Sequence, residues 1–473
     1  MKRILDHRRV GVTGGLAGEL LANQILMFHR KLRAWDRASF KRSRLLSRIL
    51  HKRIKQDQTA IDGRGALARA KALMVAESWI RARSGAGFPH RSNGGSIKLD
   101  FGFSEEQEML RDAAKRFLAD NCPTKFVRQM MADATAHDAG FWKKLVDLGW
   151  PGLLIPEEYG GQGGNFLDMT VVVEEAGKAL VPGPLFTTAL LAAPLVIEGG
   201  SEEQKKNILT RMAKGEFIGT VAIAEASGRF DADGIQMKAT KSGNEYTLSG
   251  EKFFVPDAHV ANGMAVAVRT GGSGEKGITL VALATNSPGV TITQLKTVDM
   301  TRRLCHVKFD NAKTSELIGK EGEGWPILRR TLDIATAGLS AEMVGTAQKA
   351  LDMSVEYAKT RVQFGKPIGS FQAVKHKCVD MMVAVENARS LTYYACWTVD
   401  TKGEEAATAV PMAKAYASDM AKNVTSEAIQ VHGGIGFTWE HDMHLYHRRA
   451  LAGEANFGNA PVHRETVAKS LLG

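Results

Sequence analysis

At 473 residues, 44% of them hydrophobic, the chain is long enough for two or three domains with a sizeable core. The net charge of +11 is concentrated: residues 1–98 carry 22 Lys and Arg against 6 Asp and Glu, and the remaining 375 carry 40 against 45. The body is therefore mildly acidic, which argues against nucleic-acid or membrane binding as its function, and no apolar run is long enough for a transmembrane helix.

Residues 1–98 alternate basic clusters, such as Lys41-Arg-Ser-Arg44 and Lys52-Arg-Ile-Lys55, with short apolar patches. Three readings of this extension stand: a basic arm, an Arg-rich targeting peptide, or translation read through from upstream of the true start. The expectation is a disordered arm or a start-site artefact. Gly11-Val-Thr-Gly-Gly-Leu-Ala-Gly18 has the glycines of a dinucleotide-binding loop, but Lys2–Val10 is too charged to be the strand such a loop needs.

From Phe103 the pattern changes. Ser104-Glu-Glu-Gln107 is a capping box ahead of Met109, Leu110, Ala113, Phe117 and Leu118, which predicts a helix. Further helical periods at 166–180 and 202–214 make 99–216 an N-terminal α domain. Cys122, Cys305, Cys378 and Cys396 lie far apart without metal-ligand spacing, as expected of free thiols in a reducing, cytoplasmic setting.

Between 217 and 315 the period shortens. Runs at 217–224, 246–255, 263–268, 277–284 and 289–294 are rich in Val, Ile, Thr and Phe and are separated by Gly and Asn. They predict a middle antiparallel β domain, barrel or sandwich. Residues 316–473 return to long helical periods, expected to form a C-terminal four-helix bundle. The fold class is α+β, in the order α, β, α.

Two of those helical periods flank Arg361-Val-Gln-Phe-Gly-Lys-Pro-Ile-Gly-Ser-Phe-Gln372. Gly365, Pro367 and Gly369 break the helix here. The turn offers a guanidinium for phosphate, an aromatic ring for a flat ligand, and an amide that both donates and accepts. By itself this is equally a plain connection between helices. His441, His444 and His447 have spacing that a metal could use, and the expectation is no metal site.

The segment from Leu99 to Gly473 resembles an acyl-CoA dehydrogenase. Phe103-Ser-Glu-Glu-Gln107, Pro156-Glu-Glu-Tyr-Gly-Gly161, Leu248-Ser-Gly-Glu-Lys252, Arg361-Val-Gln-Phe-Gly-Lys366, Phe371-Gln372 and Gln430-Val-His-Gly-Gly434 carry the resemblance, in this order. It implies an FAD enzyme that desaturates an acyl-CoA between Cα and Cβ. A carboxylate removes the α proton, the β hydride passes to flavin N5, and an electron-transfer flavoprotein takes the electrons. Arg361, Phe364 and Gln372, with Gln430, Gly433 and Gly434, would bind the pyrophosphate and adenine end of FAD, partly across a subunit interface.

The departures from the family pattern are as informative. The flavin cradle retains Glu225, Asp231 and Gly234, but its threonine is Ala224 and its Gly-Ser pair is Arg229-Phe230. The second cradle position reads Phe254-Val-Pro256, where Phe254 is the expected flavin contact and Pro256 has no N–H. Asp333 is kept as a substrate-binding residue, with Thr336 in place of its arginine partner. The two positions that hold the family's catalytic glutamate are Asn456 and Ala335. Glu454 is the expected replacement base, and Asn456 would polarise the thioester through its backbone N–H. This pattern resembles a diverged branch in which two dehydrogenase-like subunits assemble, often on bulky thioesters such as steroid side chains. An alternative is therefore a catalytically impaired acyl-CoA/FAD-binding subunit of a heteromer rather than a homo-oligomeric enzyme.

Overall fold

The computed structural model describes residues 103–472, so the expectations for 1–98 lie outside the described residues. Helix α1 (Glu105–Asn121) starts on the predicted capping box: Ser104 Oγ accepts from the Gln107 N–H at 3.2 Å, and Gln107 Oε1 accepts from the Ser104 N–H at 3.1 Å. Gln107 Nε2 also donates to Asp168 Oδ1 at 2.9 Å, tying α1 to the N-terminus of another helix. Helices α2 (Thr124–Ala132), α3 (Ala139–Asp147) and α4 (Phe166–Ala179) follow, then short α and π turns between Leu185 and Ala213.

The middle region is two four-stranded sheets. One has the order β1 (Gly219–Ala222), β4 (Gly263–Arg269), β5 (Ile278–Ala284), β8 (Glu316–Ile318); the other runs β2 (Ala239–Ser242), β3 (Glu245–Pro256), β7 (Leu304–Thr314), β6 (Val290–Gln294). Inward residues of both, among them Val266, Val281, Leu248, Val307 and Phe309, share one core, as in a sandwich. One pair differs from the expectation. β1 runs parallel to β4, because the chain crosses to the second sheet for β2 and β3 before returning.

The C-terminal region is α5 (Gly324–Thr360), α6 (Gln372–Asp400), α7 (Ala406–His432), α8 (Met443–Ala455) and α9 (Ala460–Leu472). Helix α5 is 37 residues long, about 55 Å at the α-helical rise, and is buried along most of 331–347. It crosses α4 in near backbone contact. A Cβ on Gly345 would lie 1.9 Å from Glu174 O, and one on Gly177 would lie 2.2 Å from Glu342 O. Gly345→Ala must separate the two helices and is expected to cost about 1–3 kcal/mol, the usual price of overpacking, in denaturant unfolding. An unchanged midpoint would refute this close crossing.

Candidate active site

The turn after α5 is a two-residue hairpin. Val362–Gln363 pairs with Lys366–Pro367, and the tip residues Phe364 (φ 53°) and Gly365 (φ 77°) are both left-handed, as a type I′ turn requires. Phe364 is 90% exposed. It meets Phe371 edge-on at 6.1 Å, and Lys366 Nζ stands 4.6 Å over the Phe371 ring. Arg361 and Gln372 are exposed, and the Arg361 guanidinium has no ion pair among the described residues. Helix α7 ends at His432, where Gly433 turns with φ 65°. A Cβ on Gly433 or Gly434 would touch nothing within 4 Å, so their backbone is open to a close approach. Gln430 is exposed beside them, and Ile435, Phe437 and Trp439 add exposed apolar surface.

A second feature is a cleft of about 800 Å³, open to solvent, walled by the end of β3, the loop before β7, α5 and α8. Phe254 reaches it through a β-bulge. Lys252 pairs with Val307 and Val255 with Cys305, so Phe253 and Phe254 together oppose His306. Phe253 stacks on His306 at 4.4 Å, and Phe254, at φ 57°, lines the cleft. On the other side Asn456 and Phe457 follow α8, with the Phe457 ring 5.4 Å from Phe230 and 6.4 Å from Phe186.

The floor is a buried ion network. Arg449 donates from Nε to Asp299 at 2.6 Å and from Nη1 to Glu342 at 2.7 Å, and it also donates to Thr301. Arg302 grips Glu342 with both terminal nitrogens, at 2.9 and 2.5 Å, and lies 4.8 Å over the Phe186 ring. Burial works against the charge on both arginines. The carboxylates of Asp299 and Glu342 more than offset it at Arg449, whereas Arg302 stays below the ordinary guanidinium value despite Glu342.

Domain models of the acyl-CoA dehydrogenase family match the chain in three consecutive blocks: the N-terminal domain at 104–216, the middle domain at 220–312 and the C-terminal domain at 322–472. This chain is a member of the acyl-CoA dehydrogenase family. It is 35% identical over 348 residues to the acyl-CoA dehydrogenase IpdE2 of Mycolicibacterium smegmatis, covering 73% of this chain and 93% of that one. Butyryl-CoA dehydrogenase from Megasphaera elsdenii superposes with a TM-score of 0.73 at 30% identity, covering 79% of this chain and all of that one. A chain in the structure of the electron transferring flavoprotein of Acidaminococcus fermentans gives a TM-score of 0.74 at 32% identity, with 79% and 99% covered.

Within the acyl-CoA dehydrogenase fold, the predicted site residues separate. Phe254 and Asn456 line the cleft; Glu454 does not. Successive helix residues are turned by about 100°, so Gly453 faces the cleft while Glu454 is half-buried on another face. Its charge acts instead on Lys414 of α7. The expectation of Glu454 as the base therefore has no support from the cleft lining. The Asn456 N–H closes the last turn of α8 on Ala452 O at 3.1 Å.

Asp333 also lies outside the cleft lining, 3.2 Å from Arg329 one turn earlier, and burial raises its pKa against that neighbour. The retained Glu225 supports the fold. It accepts from the backbone of Gln236 and Met237 at 2.8 Å each and from the buried Lys252 at 2.9 Å. Burial would raise its pKa, but these partners hold it below the usual carboxylate range. The histidines predicted not to bind metal have separate partners: His444 stacks on Trp439, His447 meets Thr425, and His441 tilts against His432. Sequence reasoning missed the ion network on the cleft floor.

Proposed function

We propose that this chain, with FAD bound, forms part of an enzyme that dehydrogenates an acyl-CoA thioester between Cα and Cβ and passes electrons to an electron-transfer flavoprotein. The observation that carries this reading is the cleft itself, which is lined by both the Phe254 bulge and the Asn456–Phe457 turn. Members of the family bind FAD, and the residues here fit it. Arg361 would pair with the pyrophosphate, Phe364 would pack on a ring, and Gly433 and Gly434 would admit phosphate close to the backbone. When bound, FAD supplies the acceptor for the β hydride. Phe364 and Phe437 are 90% and 78% exposed in the single chain, as suits surfaces completed by another subunit.

The carboxyl groups of the cleft favour a division of labour. Asp299 and Glu342 are held by guanidinium groups. Asp257, 3% exposed, is 2.5 Å from Thr187 Oγ1, and burial pushes its carboxyl above the usual carboxylate range. Each of the three already has a partner within this chain. A second dehydrogenase-like subunit would therefore supply the base, and this chain the cleft and one half of the cofactor site. In the assembled enzyme, Glu454→Gln and Asp257→Asn should each leave flavin reduction by acyl-CoA within about threefold of wild type, well short of the roughly 10²–10⁴-fold contribution of a general base. A loss of that larger size in either variant would place the base in this chain.

A further inference from the structure

The turn that carries Asn456 and Phe457 is held from outside the cleft by a buried lysine. Lys414 on α7 is 0% exposed. Its Nζ donates to Glu454 O at 3.1 Å and Gly458 O at 2.9 Å, and lies 3.1 Å from Ser418 Oγ one turn along. Those carbonyls stand on either side of the turn joining α8 to α9. Between them, Phe457 O lies 2.9 Å from His463 Nε2. The segment needs such support, because Phe457 (φ 57°) and Gly458 (φ 96°) are both left-handed and Phe457 has no glycine-like freedom. On the cleft side, Phe457 packs its ring near Phe186 and Phe230.

We propose that Lys414 is a positioning residue: by binding the two carbonyls that flank the turn, it sets where Asn456 and Phe457 stand in the cleft. Its three partners use its whole donor capacity, which leaves none for a ligand. Burial pushes Lys414 down to about 7, against the nearby Glu454 carboxylate on α8. On α9, burial together with Lys414 and Arg329 pushes His463 down to about 4, leaving it neutral near pH 7. The hold survives either state of the lysine. The ammonium donates three hydrogen bonds, while the neutral amine donates to both carbonyls and accepts the Ser418 hydroxyl.

The test is hydrogen–deuterium exchange on the full-length, flavin-loaded protein, read in the segment 455–459, together with acyl-CoA kinetics of its assembly with the dehydrogenase-like partner subunit. Lys414→Met removes the donors and keeps an apolar chain of similar length, a change that buried ionic sites commonly tolerate. Exchange in the segment should rise by about tenfold, while α5 and the second half of α7 stay at wild-type rates. The kcat should fall by about tenfold with KM little changed. Lys414→Arg should recover part of the protection. Ser418→Ala, which takes away only one of the three partners, should raise exchange by about threefold in the same segment and serves if Lys414→Met does not fold. Unchanged exchange in both variants, or exchange that rises alike throughout the chain, overturns the proposal, as does a loosened turn with unchanged kcat. The kinetic arm rests on the dehydrogenase reading and the exchange arm does not. A wild-type assembly inert toward acyl-CoA would sink that reading alone.

Discussion

Arg449→Ala is expected to destabilise the protein by about 3–5 kcal/mol, the range seen when one partner is removed from a buried ion pair. The side chains of Arg449, Asp299 and Glu342 are 3%, 4% and 1% exposed. Without the guanidinium, the Asp299 carboxylate is left with its Thr301 contacts, at 2.9 Å to the N–H and 2.5 Å to Oγ1. Glu342 keeps Arg302. The carbonyls of Leu180 and Val181, 3.5 and 3.4 Å from Arg449, lose their donor as well. The residue thus joins α8 to α5, to the loop before β7 and to the chain after α4, all around the cleft floor. Chemical denaturation reads the loss, and a change below about 1 kcal/mol would place this network in the class of weak surface pairs.

Arg361→Ala should have the opposite profile. Its side chain is exposed and holds no ion pair among the described residues, so stability should move by no more than about 0.5 kcal/mol. Flavin affinity should fall by about 10–100-fold, which is what a charge-assisted bond of roughly 1.5–3 kcal/mol supplies. Phe364→Ala should weaken flavin retention in the same direction and also reduce subunit association, since this ring stands 90% exposed at a hairpin tip. The flavin-to-protein ratio after gel filtration measures both effects. Full flavin content in Arg361→Ala would separate this turn from the cofactor.

How these two sites could be read from the sequence differs for a physical reason. The hairpin at 361–372 was legible because its glycines and proline interrupt two helical periods, and a local break leaves a local signal. The capping box at Ser104 and the strand runs of the middle region were legible in the same way. The parallel pairing of β1 with β4 was not, because alternation gives a strand but not its neighbour. The ion network was hidden because Asp299, Arg302, Glu342 and Arg449 are scattered over 150 residues, and each reads alone as an ordinary solvated charge. Lys414 was hidden for the same reason. The face that Glu454 occupies was not legible either, because closeness in sequence to Asn456 says nothing of the helix face.

The central claim is that the cleft brings an acyl-CoA thioester to a bound flavin. The direct measurement is anaerobic titration of the chain, purified alone and co-expressed with a dehydrogenase-like partner subunit, with straight, branched and alicyclic acyl-CoA thioesters, following flavin absorbance. The account predicts a flavin-loaded assembly that at least one thioester bleaches, with little or no bleaching of this chain alone. A fully flavin-loaded assembly that none of the three thioester classes bleaches would contradict it.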